Sequence, residues 1–77
     1  MAAQIRAARA LVGWSQADVA TAAGLSVPTV KRAEAGGGIR ASDDAILSIV
    51  DALKKAGVDF IAENGGGPGV RLRKLKR

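Results

Sequence analysis

Apolar positions along the chain fall into short helical stripes separated by glycines. Between Ala2 and Val12, Ile5, Ala8, Leu11 and Val12 recur near helical spacing in an alanine-rich segment, and alanine is the best helix former. Gly13 fits the end of this helix, since glycine tolerates the left-handed conformation that closes helices. Ser15-Gln16-Ala17-Asp18 is a capping-box variant, with a hydroxyl at the cap and a carboxylate three residues on. Val19, Ala20 and Ala23 form the apolar stripe of a second helix of barely two turns, which Gly24 stops. Ser26 caps a third helix. Pro28 is allowed there because first-turn amides have no partner inside the helix. This helix runs to Ala35 and ends at Gly36-Gly37-Gly38. Ser42 caps a fourth, with Asp43 and Asp44 at its positive dipole end. Ile46, Ile49, Val50 and Leu53 mark its buried face at i, i+3, i+4 and i+7. Lys54 and Lys55 occupy the last turn, and Gly57 closes it.

The pattern then changes period. Val58 to Glu63 reads as a short strand, and residues 64–69 (NGGGPG) are pure turn. Val70-Arg71-Leu72-Arg73 alternates apolar and charged side chains, as a half-buried strand does. The expectation is a β-hairpin appended to four helices, with Lys74 to Arg77 fraying. Residues 1–57 form the helical domain, and residues 58–77 the hairpin and a basic tail.

The chain has 77 residues, enough for one small domain. At this size folding buries only about 60% of the unfolded chain's surface, so stability is marginal and a partner subunit would help. There are no cysteines and no histidines. Disulfides, thiolate nucleophiles, imidazole bases and the common zinc sites are thereby excluded. No catalytic residues, metal or cofactor are expected, and the chain is read as a non-enzyme. One Trp and one Phe are too few for a single-strand stacking platform. No apolar run approaches the roughly 20 residues of a membrane span, and no signal peptide is evident. A cytoplasmic protein without membrane contact is expected. The net charge is +5, yet residues 1–70 carry seven basic and seven acidic side chains. The whole excess lies in the last seven residues, so charge alone says little about the helical body.

Two short helices joined by a glycine-containing turn, with packing helices before and after, form a helix-turn-helix arrangement. Its second helix suits the DNA major groove, about 12 Å wide. Residues 5–57 resemble the Cro/repressor-type (Xre-like) helix-turn-helix family. The matching string includes Arg9, Ser15-Gln16, Val19-Ala20, Gly24-Leu25-Ser26, Thr29-Val30, Arg32, Glu34 and Gly36, then Ile46 to Leu53 as the closing helix. The resemblance implies an all-α, four-helix, lambda-repressor-like helix-turn-helix domain, here with a short C-terminal β-hairpin. It implies a sequence-specific, double-stranded-DNA-binding transcriptional regulator, with repression the default for a chain without an effector domain. The hairpin segment also resembles a tail seen on small bacterial regulators of this family.

The site follows in part from spacing. If Val30 and Ala33 face the core, Val27, Pro28, Lys31 and Arg32 face the groove. Arg32 or Lys31 can pair with guanine O6 and N7, and Val27 can meet a thymine methyl. Pro28 has no side-chain donor and only shapes the contact, a departure from family members with amides here. The alternative is a solvated basic face. The resemblance implies phosphate contacts for Gln16, which opens the second helix, and for Thr29. Each also has a plain reading, as a solvent-facing capping residue and a neutral helix residue. Arg40 and Ser42 stand where free cap amides attract phosphate, though Ser42 is equally well a plain cap. The family pairs an arginine in the first helix with a glutamate ending the third, which implies a structural Arg9–Glu34 bridge. Trp14 is read as core rather than as a base stacker.

Useful specificity needs two half-sites about 34 Å apart, read by a two-fold dimer. The hairpin is the candidate dimer element, by strand addition or by packing Phe60, Ile61, Val70 and Leu72 across an axis. The alternative is a hairpin folded back on its own helices. The rival function is an antitoxin or anti-activator acting mainly on a protein partner, which the neutral charge of residues 1–70 and Pro28 in the reading helix favour.

Overall fold

A computed structural model of the chain describes residues 1–36, 38, 40–63 and 65–73. Four helices and two strands follow in order: α1 Ala2–Val12, α2 Gln16–Ala23, α3 Val27–Ala35, α4 Asp43–Lys55, β1 Val58–Ile61 and β2 Gly69–Leu72. Local chemistry sets most of the boundaries. The Ser15, Ser26 and Ser42 side chains accept from Asp18 N, Thr29 N and Ala45 N. Each satisfies an amide that the first helical turn leaves without a partner. The box at Ser15 is reciprocal, since Asp18 Oδ2 accepts from the Ser15 amide at 2.9 Å. The shorter acid therefore completes the motif. Gly13 and Gly24 close α1 and α2 at φ 71° and 69°, where a Cβ would crowd the following carbonyl.

Every element from α1 to β1 sends a fully buried side chain into one core: Ile5, Val19, Val30, Ile49, Leu53 and Val58. Burying each contributes about 1.5–3 kcal/mol. Trp14, Leu25 and Ile46 pack around this centre, partly buried. α1 contacts α3, α4 and both strands, while α2 lies against α3 and α4.

Three boundary or face assignments differ from the sequence pattern. Leu11 is 40% exposed. Six residues on from Ile5, it lies about 120° around the helix, whereas Ala8 and Val12 stay near the buried line. α4 ends at Ala56 in a right-handed conformation, and Gly57 takes the positive φ one residue later. The strands are Val58–Ile61 and Gly69–Leu72, so the first is shorter and the second begins one residue earlier than the pattern suggests.

The hairpin is antiparallel, pairing Val58 with Leu72, Asp59 with Arg71, Phe60 with Val70 and Ile61 with Gly69. Val58 is buried in the core, and Phe60 and Val70 pack partly buried against it. On the other face Asp59 receives Arg73 at 3.0 Å and Arg71 at 3.6 Å. The Gln4 side chain fastens the hairpin to α1 by donating to the Ile61 and Gly69 carbonyls, at 3.2 and 3.0 Å. The four-helix architecture with a terminal hairpin is thus the one expected. Residues 74–77, expected to fray, lie outside the described residues.

Candidate nucleic-acid interface

α3 is two-sided. Val30, Ala33 and Glu34 are buried, while Pro28, Lys31 and Arg32 are exposed. The helical period produces this division, because residues three and four apart share a face. Val27 differs from its neighbours: it is half-buried and packs against the core, so only part of its side chain reaches the surface. Pro28 lies in the first turn and removes no helical hydrogen bond there.

The outward groups are tied to one another. Ser26 Oγ and Thr29 Oγ1 are 2.9 Å apart, and Arg32 Nη2 donates to Thr29 Oγ1 at 3.2 Å. Thr29 therefore holds the Arg32 guanidinium while its own hydroxyl is engaged by the cap. Arg32 and Arg40 line the same cleft of about 450 Å³, with Ala33, Ala41, Asp43 and Ile46. The two arginines thus line one opening beside the start of α4. Ser42 is exposed and caps that helix, its Oγ accepting from Ala45 N at 3.1 Å.

Behind this surface sits a buried charged junction. Glu34 is only 4% exposed. Arg9 grips its carboxylate through Nε at 2.8 Å and Nη2 at 3.1 Å, the two-pronged geometry expected of this pair. Arg9 Nη1 also donates to the Trp14 carbonyl at 3.1 Å, which fixes the α1–α2 connection. Arg6 donates to the Glu34 backbone carbonyl, one of the acceptors left free at the end of α3. Gln16, half-buried, turns inward and donates from Nε2 to Glu34 Oε1 at 3.2 Å. Among the described residues no buried side-chain nitrogen or oxygen lacks a hydrogen-bond partner.

A short helix, a turn closed by Gly24 and Leu25, and a second helix with an exposed basic flank make up residues 16–35. A family described as a helix-turn-helix domain matches residues 1–59. The chain belongs to the helix-turn-helix domain family. Membership implies DNA binding, with α2 and α3 as the helix-turn-helix pair. The match takes in all four helices and ends within β1. No curated protein matches the sequence. Among the described residues no helix is long and apolar enough to cross a membrane.

Beside this helix-turn-helix pair, the candidate dimer residues divide. Phe60 and Val70 are packed on the chain's own core, so folding back engages them. Ile61 is half-buried, and Leu72 is 51% exposed. The C-terminal charge is also partly engaged, since Arg73 bonds Asp59 and the Lys54 carbonyl. Sequence reasoning missed the Arg6–Glu34 and Gln16–Glu34 bonds behind this surface, and the Gln4 bonds that hold the hairpin. Gln4 and Arg6 meet backbone carbonyls, which every residue carries, so their partners leave no mark in the sequence.

Proposed function

We propose that the chain is a Cro/repressor-type (Xre-like) transcriptional regulator that binds a specific double-stranded DNA site as a homodimer and represses by occupying that site. The observation that carries this reading is the exposed flank of Pro28, Lys31 and Arg32 on the second helix of the pair, opposite buried Val30 and Ala33. In the proposed complex Arg32 and Lys31 read guanine edges, and the exposed part of Val27 meets a thymine methyl beside Pro28. Gln16, Thr29, Arg40 and Ser42 contact phosphates and set the register. Thr29 does so as part of the Ser26–Thr29–Arg32 chain, which brings its hydroxyl beside the reading arginine.

Arg9 and Glu34 have a structural role in this scheme, as the joint between α1 and α3. The protein acts by occupancy and not by catalysis. Homodimerisation rests on Leu72, exposed at the end of β2, and on strand edges that can pair with a second copy. Fluorescence anisotropy with duplexes recovered by random-site selection tests the reading. Wild-type protein is expected to bind a selected duplex, with log affinity falling by about 0.9 per phosphate contact against log salt. Failure to enrich any sequence, together with co-purification of a protein partner, would overturn it.

A further inference from the structure

Glu34 makes more contacts than an ion pair needs. Its carboxylate is satisfied as a pair by Arg9, through Nε on one oxygen and Nη2 on the other. Gln16 nevertheless adds a third donor, placing Nε2 on the Oε1 that already accepts Arg9 Nη2. Gln16 is the first residue of α2, and Glu34 is the penultimate residue of α3. The bond therefore spans the helix-turn-helix pair from its first residue almost to its last.

A carboxylate only accepts hydrogen bonds, so it selects one of the two orientations of the Gln16 carboxamide. The NH₂ group is turned to Glu34 and keeps a second N–H. A glutamine at a helix start otherwise samples many rotamers, and ordering it on binding opposes binding. We propose that Glu34 is a positioning residue for DNA recognition: it holds the Gln16 carboxamide in a fixed orientation so that its remaining N–H meets a DNA phosphate without further ordering. This rests on the reading of Gln16 as a phosphate contact. Arg9 has a second part in the arrangement, because it neutralises Glu34 and lets the carboxylate stand near the phosphate without repelling it. Arg6, bonded to the Glu34 carbonyl, adds a cation beside this pair, against the Asp18 carboxylate in the first turn of α2.

The role makes the effects of Gln16 and the Arg9–Glu34 pair depend on each other. Anisotropy titrations on a selected duplex compare wild type, Gln16→Ala, Arg9→Met/Glu34→Leu, and the three changes combined. The Arg9→Met/Glu34→Leu variant removes one charge of each sign, so its salt slope should match wild type. Gln16→Ala in the wild-type background is expected to weaken binding about tenfold. In the Arg9→Met/Glu34→Leu background the same change should cost less than about twofold. Equal losses in both backgrounds would overturn the proposal. If that background fails to fold by circular dichroism, the Arg9→Leu/Glu34→Met pair replaces it and the same non-additivity is required.

A second readout needs no DNA. In the free protein the Gln16 side-chain NH₂ protons should be dispersed and slow to exchange in NMR spectra, and should collapse to random-coil positions when Glu34 is replaced. Random-coil positions in wild type would also overturn the proposal. Wild type failing to bind any duplex while its Gln16 protons remain ordered would count against the DNA-binding reading instead, and would leave the carboxamide orientation established.

Discussion

Arg9 and Glu34 show how one buried carboxylate organises three segments. Glu34 is removed from water, and its two oxygens are held by donors from α1 and α2. Arg9→Ala strands that charge and should cost about 3–5 kcal/mol in urea-unfolding free energy, far more than an exposed ion pair such as Lys55–Asp51 is worth. Arg32→Ala should act differently. Arg32 is exposed and, among the described residues, its side chain bonds to Thr29 alone, so its loss should leave the unfolding midpoint near wild type. It should instead relax base preference at one operator position, by about 1–3 kcal/mol in competitive binding. The Arg9–Glu34 bridge was legible because its two residue types stand at positions where a known family carries the same pair. The Gln16–Glu34 bond was not: a glutamine at a helix start is consistent with capping, phosphate contact or solvent. Only the placement of α3 beside α2 brings the Glu34 carboxylate within reach of it.

The helices were easier to read than their attachments. Each cap acts within three residues, so Ser15, Ser26 and Ser42 announce their helices in the local sequence. The joint between α1 and the hairpin connects Gln4 to Gly69, 65 residues away and through backbone atoms. No residue type encodes that acceptor. Leu11 is a different case: its position about 120° around the helix from Ile5 follows from the helical period alone, and its nearness to Val12 in sequence hides it. Gly24 gives a clean test of the turn. A Cβ there meets nothing within 4 Å, so Gly24→Ala carries only the cost of a left-handed backbone. The unfolding free energy should fall by about 1–2 kcal/mol, with DNA affinity of the folded fraction preserved. A loss of affinity at full folding would mean that the α2–α3 angle itself had changed.

For the whole molecule the balance of charge is the informative feature. The body of the domain is neutral, and of the basic C-terminal stretch Arg71 and Arg73 share Asp59. Attraction to DNA then depends on where cations stand rather than on how many there are, with Arg32 and Arg40 lining one cleft beside α3. The hairpin supplies the second feature. Its inner side chains, Phe60 and Val70, complete the core, which leaves Leu72 as the exposed apolar group at its end. Leu72→Lys should shift sedimentation at tens of micromolar from dimer to monomer and weaken binding to a two-half-site duplex more than to a single half-site. An unchanged dimer would place the interface elsewhere on the molecule.

The most direct trial of the account is random-site selection with the purified wild-type chain, followed by sequencing of the retained duplexes. An outward basic flank on α3, presented twice by the proposed dimer, predicts a two-fold symmetric consensus with half-site centres about 10 base pairs apart. Retained duplexes with no common sequence would contradict it.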